Sequence, residues 1–410
     1  MDQDRAVKTV TFVSAAGRAA YPGSDSAEAL SDPAGGWRPV ARLGAPTAGG
    51  LALPAASPTA AWLYGPRGVH LGRVGDADVV VVADTGNHRV LLWWGLPEAD
   101  EQPCDVVLGQ PSPTSEGPAA GGTSVRAGMY LPTGVLVHEG RLVVADAWHH
   151  RVLIYLDVPR SPHALPDVVL GQPDLESVEP NRGGDCSADS MFWPFGVAVL
   201  GNRFYVADTG NRRVLGWSGG IPASEATPPD LVLGQGDGRA RAENRGGEPG
   251  RGSFRWPHDL AGTSDLLLVA DAGNHRLLGW QPHPEADRPA DLVLGQPDFT
   301  TATEWPYAPQ RADTLRFPYA ADVDGGRLAV ADTANNRVLL WDALPQRGPE
   351  TVGVPADAVL GQPSFAANGE NRWSGVEEDS LCWPYGLSLR GDLLAVADSG
   401  NNRVLLWRHT

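Results

Sequence analysis

The chain has 410 residues, a formal net charge of −17 and 20% charged residues. A surface that acidic repels phosphate backbones and argues against nucleic acid as a partner. Three scattered cysteines, Cys104, Cys186 and Cys382, exclude a disulfide framework. No apolar run of about 18 residues is present, and the opening MDQDRAVKTVTFVSAAG lacks a signal-like core. The expectation is a cytoplasmic protein with reduced thiols and no membrane contact. Glycine (50) and proline (36) are frequent enough to predict many turns and few helices.

In chain order, residues 1–36 carry no periodic pattern and are expected to be partly irregular. Trp37 to Pro46, WRPVARLGAP, reads as one strand without a neighbour. Then a phrase begins that occurs six times. VVADTGNHRVLLW, Val81 to Trp93, is its first copy, and its Asp falls at Asp84, Asp146, Asp208, Asp271, Asp332 and Asp398, in steps of 62, 62, 63, 61 and 66 residues. A second phrase, DVVLGQP, places Gly109, Gly171, Gly234, Gly295 and Gly361, each 37 residues before the next Asp.

Each unit predicts four short strands. In the third they are WPFGVAV from Trp193, RFYVAD from Arg203, RVLGW from Arg213 and DLVLGQ from Asp230. Aliphatic runs broken by TGN and LGN mark hairpins, with Gly and Asn expected to supply the positive φ of the turns. A four-stranded unit cannot cover both its faces, but six arranged radially cover one another. The last unit stops at RVLLWRHT without a fourth strand, and Trp37–Pro46 supplies it. The prediction is an all-β, six-bladed β-propeller over residues 37–410, forming a single domain closed by its N-terminal strand.

VADTGNHRVLLW, VADTGNRRVLGW and VADSGNNRVLLW resemble the NHL repeat. With VLGQPD and a proline before each first strand, the chain is similar to long-repeat bacterial NHL proteins over about residues 37–410. The resemblance implies a six-bladed ring. Its relatives include RNA-binding domains, protein-interaction platforms and enzymes such as the peptide-amidating lyases.

Asp and Arg keep a five-residue spacing in every unit, from Asp84/Arg89 to Asp398/Arg403. Such pairs brace hairpins, because the planar guanidinium matches a carboxylate. Asn181-Arg182, Asn244-Arg245 and Asn371-Arg372 recur in three loops and read as scaffold before they read as anion collectors. Function is to be sought where copies differ. The residue after each proline should reach the channel at its top mouth, and there the units carry Arg67, Thr133, Phe195, His258, Tyr319 and Tyr385, with Asp259 after His258. Plugging by bulky groups is the plainer reading of this ring. Its chemical alternative is an active site of Arg67 as oxyanion binder with His258 and Tyr319 or Tyr385 as acid and base. The Pro-His run at His258 resembles the one that supplies a zinc-binding His in amidating lyases. Only one of the six equivalent positions is His, so no metal site is assigned. Trp148-His149 in the second turn, Trp305, Tyr307 and Trp373 add aromatic groups to the top loops.

The function expected is therefore a binding platform for a small molecule, peptide or protein on the top face and channel mouth. The alternative is a cofactor-independent lyase or hydrolase in the funnel, with RNA binding third. No organic cofactor is expected. The pattern permits a divalent cation held by channel carbonyls, and leaves the oligomeric state open.

Overall fold

The computed structural model describes residues 32–45, 57–304, 309–346 and 352–410, which belong to one compact unit, Asp32–Thr410. Valine, leucine and isoleucine dominate the strands because branched side chains suit a pleated, buried surface. Among the described residues the strands form six sheets of four antiparallel strands each. The innermost strands are Gly68–Val74, Pro132–His138, Pro194–Leu200, Pro257–Gly262, Pro318–Asp324 and Pro384–Arg390. Each touches the next, and the first touches the last, so the sheets close a ring: a six-bladed all-β propeller.

The closing sheet joins both chain ends. Trp37–Gly44 pairs antiparallel with Arg403–His409, from Trp37 opposite His409 to Gly44 opposite Arg403, with a bulge between Pro39 and Ala41. The outer strands are shorter than the alternation suggests: Asp230–Gln235 contributes only Leu231–Leu233.

The core lies between blades, not within them. Six apolar clusters each join two neighbours, such as Val79, Val81 and Leu92 with Leu142, Val144 and Tyr155. Trp37, Leu405 and Trp407 likewise meet Leu340 and Leu360.

The repeated Asp and Arg face each other in register and are fully buried. Asp208 Oδ2 accepts from Arg213 Nε and from Asn211 Nδ2, both at 2.8 Å, and its Oδ1 accepts the Phe192 N–H at 2.8 Å. Arg213 also donates to Gly238, Ser187 and Ser190 carbonyls, tying the loop entering the blade to the loop leaving it. The arrangement repeats at Asp84, Asp146, Asp271, Asp332 and Asp398. Arg182, Arg245 and Arg372 pair with Asp189, Asp287 and Asp379 and brace loops in the same way.

The turn after each Asp departs from expectation. The left-handed residue is not the Gly or Asn of TGN but the one that follows: His88, His150, Arg212, His275, Asn336 and Asn402. Gly86 is needed for space instead, since a Cβ there would lie 2.6 Å from the Tyr64 carbonyl oxygen.

Polar side chains on the innermost strands stitch five of the six blade junctions, all but the one between the third and fourth blades. His70 bonds the Val137 carbonyl, Thr133 donates to Phe195 O, Asp259 accepts from Ala321 N, Asp322 from Leu389 N, and Ser388 from Leu71 N. Neighbouring innermost strands belong to different sheets, and these side chains supply bonds across the gap.

Candidate functional site

The proline opening each innermost strand fixes φ and aims the next side chain at the axis. Five such residues form a chain around the mouth. Phe195 and His258 have ring centroids 4.4 Å apart, His258 stacks on Tyr319 at 4.2 Å and 11°, and Tyr319 meets Tyr385 at 4.8 Å. The Arg67 guanidinium lies 4.7 Å above the Tyr385 ring. The sixth, Thr133, is 1% exposed and directs its hydroxyl to Phe195 O, 2.9 Å away. Aromatic pairs of this kind stabilise by about 0.5–1.5 kcal/mol each beyond their burial. The set is therefore rigid, and lines a cavity of about 180 Å³ that runs down the channel past Asp259, Asp322 and His70.

Burial governs the charges here. It lowers His258 to about 4 and raises Tyr319 to about 12 and Tyr385 in the same direction. It lifts Asp259 to about 8 and Asp322 to about 7. His258 Nδ1 lies 3.0 Å from the Trp256 carbonyl, so Nδ1 carries the proton and Nε2 is a bare acceptor. Tyr319 stacks on the imidazole, and Phe195 packs against it at a tilt of 53°.

A second aromatic shell surrounds the first, made by the residue before four of the six prolines: Trp193, Trp256, Phe317 and Trp383. Trp193 reaches Phe195 at 6.4 Å, Phe317 reaches Tyr319 at 6.3 Å, and Trp256 stacks on Phe317 at 6.1 Å. The runs FWP, RWP, RFP and CWP carried that signal at one offset in the sequence. Leu131, Trp193, Phe317 and Trp383 hold positive φ, which is costly for bulky residues. Their backbone N–H groups are each captured by the left-handed turn residue of the preceding blade. Leu131 donates to His88 Nδ1, Trp193 to His150 Nδ1, Phe317 to His275 Nδ1 and Trp383 to Asn336 Oδ1. Where the turn residue is Arg212, no acceptor exists, and Trp256 lacks the positive φ.

The remaining candidates divide. Trp148 is 44% exposed and joins the mouth through Trp193, 6.1 Å away. His149 replaces the Asn of other blades and bonds Asp146 Oδ2 at 2.8 Å from a buried position. Asp259 sits below the mouth with Oδ2 bonded to Ala321 N. Trp373 is 79% exposed and has no ring contact with the mouth set among the described residues. Trp305 and Tyr307 lie outside the described residues. Among the described residues no three His, Cys, Asp or Glu side chains gather as metal ligands.

No family model matches the chain, and no curated protein matches it. Solved structures do. The WD40 β-propeller domain of Doa1 is 12% identical over 92% of this chain and 98% of its own, with a TM-score of 0.44. BamB from Moraxella catarrhalis is 12% identical over 91% and 98%, at 0.38. Virginiamycin B lyase from Staphylococcus aureus is 9% identical over 84% and 94%, at 0.37.

Proposed function

We propose that this chain is a ligand-binding propeller of the NHL-repeat type, working in the cytoplasm, whose top mouth receives a small molecule or a short segment of peptide or protein. The observation that carries the reading is the double aromatic shell around an open cavity, from Trp148 and Trp193 through Phe195 and His258 to Tyr319 and Tyr385. The groups that build the ring are locked in buried bonds, whereas these rings border the mouth. Concave aromatic surfaces with a few polar groups suit recognition.

A lyase or hydrolase is the second reading, favoured by the convergence of Arg67, Tyr385, Tyr319 and a neutral His258. Against it, His258 is 5% exposed with Tyr319 stacked on its ring and Phe195 packed against it, which suits a wall better than a proton shuttle. A thermal-shift screen of metabolites and short peptides tests the first reading, since a ligand that binds only the native state raises the melting temperature. The reading expects at least one stabilising ligand whose shift disappears in Phe195→Ala and Tyr319→Ala. Shifts that persist in both variants would overturn it. Turnover of such a ligand, abolished in Tyr319→Phe, would favour the enzyme.

A further inference from the structure

Three hydrogen-bond donors belong to adjacent residues at the mouth, and among the described residues none has a protein acceptor. They are the Arg67 guanidinium and the hydroxyls of Tyr319 and Tyr385; Arg67 lies over the Tyr385 ring, and that ring packs at a tilt against Tyr319. Arginines elsewhere near the top are engaged: Arg255 with Glu243 and Arg316 with Glu304. A partly buried guanidinium with no counter-ion is notable in a chain of net charge −17. A planar fork with two adjacent hydroxyls matches a two-oxygen carboxylate. The acidic surface disfavours polyanions and leaves a single negative charge as the better guest. Burial favours the neutral forms of Asp259 and Asp322 deeper in the channel, which lessens their opposition to an anion.

Around the mouth the chemistry then changes in order. After the donors comes His258, whose Nε2 can only accept while the ring is neutral, and after it the apolar Phe195 backed by Trp193. The cavity, about 180 Å³, is below the ~300–1,000 Å³ of pockets that hold drug-sized ligands. It admits a small acid or the last residue of a chain.

We propose that the mouth binds an N-acylated amino acid or a peptide C-terminus, its carboxylate on Arg67, Tyr319 and Tyr385, its amide N–H toward His258 Nε2 and its apolar side chain on Phe195 and Trp193. This rests on the aromatic mouth being the binding surface, and names the ligand class for it.

Isothermal titration calorimetry on the full chain tests it with N-acetyl-L-phenylalanine, its primary amide and glycyl-glycyl-phenylalanine. The acid should bind about tenfold or more tightly than the amide, the size of one charged hydrogen bond. Arg67→Gln should reduce the acid-over-amide ratio to within about twofold, and Arg67→Lys, which keeps the charge, should restore part of it. Equal binding of acid and amide to the wild type overturns the carboxylate assignment and leaves the aromatic reading standing. Binding of neither monomer nor tripeptide overturns the ligand assignment, and the aromatic reading then stands or falls with the thermal-shift screen. Binding of the tripeptide alone supports the assignment with chain ends as the source, and equal binding of monomer and tripeptide supports it with small acids included.

Discussion

Replacing Asp208 with Ala removes one carboxylate and strands three groups. Arg213 Nε, Asn211 Nδ2 and the Phe192 N–H all point at it from 2.8 Å, and Asp208, Arg213 and Asn211 are 0% exposed. An uncompensated buried guanidinium costs ~3–5 kcal/mol. The two neutral donors would add ~1–3 kcal/mol each if they stayed unpaired, but the three act as one network and do not sum. A net loss of about 4 kcal/mol is expected. With ~2.1 cal/mol/K of unfolding entropy per residue, a unit of this size loses on the order of 1 °C of melting temperature per kcal/mol, so Asp208→Ala should melt about 5 °C lower. Calorimetry gives the melting temperature and titration gives the affinity for any mouth ligand, which should be unchanged below the transition. A variant melting within about 1 °C of wild type would refute the framework role, and so would a fully stable variant that no longer binds.

Three further outcomes follow from the geometry. His150 and His275 accept a backbone N–H on Nδ1, and burial lowers both to about 4, below the ~6.5 of a free imidazole. Their contribution is present above pH 6.5 and is lost as pH falls toward 4, because the unfolded chain takes the proton first. His275→Asn, which copies the acceptor used at Asn336, should flatten the acid side of the melting-temperature profile between those limits. Asp259 behaves oppositely: raised to about 8, it stabilises most below pH 4 and loses that contribution as pH rises through 8. Asp259→Asn should therefore gain on wild type progressively from pH 4 to pH 8 in the same melting series, and a constant offset would contradict the burial argument. Ser399→Ala removes the hydroxyl that donates to Pro66 O where the last blade meets the first, and should cost about 1 kcal/mol in urea unfolding. The milder loss is expected because the second and fourth turns carry Ala147 and Ala272 at this position.

The ring was legible in the chain because the repeat supplies its own ruler. Six Asp–Arg pairs at constant spacing imply six equivalent hairpins, and a unit lacking its last strand implies that WRPVARLG returns to it. The first residue after each proline could be placed by the same equivalence. Three features could not be read this way. The left-handed position falls on the residue after the TGN-type run in all six blades, Arg212 included although it offers no acceptor, so residue type does not announce it. The outer aromatic shell was visible as letters, but the backbone of Trp193, Phe317 and Trp383 is set by N–H bonds to His150, His275 and Asn336 of the preceding blade. The stitches from His70, Asp259 and Asp322 join residues about sixty positions apart or more, a proximity that only the closed ring creates.

The central claim is that the frame holds still while the top mouth binds. Hydrogen exchange of the full chain, with and without the most stabilising ligand from the screen, tests it most directly. The account predicts added protection at the top ends of the strands beginning at Pro194, Pro257, Pro318 and Pro384 and in the Ala147–His149 turn. Protection confined to the opposite rim, around Gly201–Arg203 and Pro282–Arg288, would contradict it.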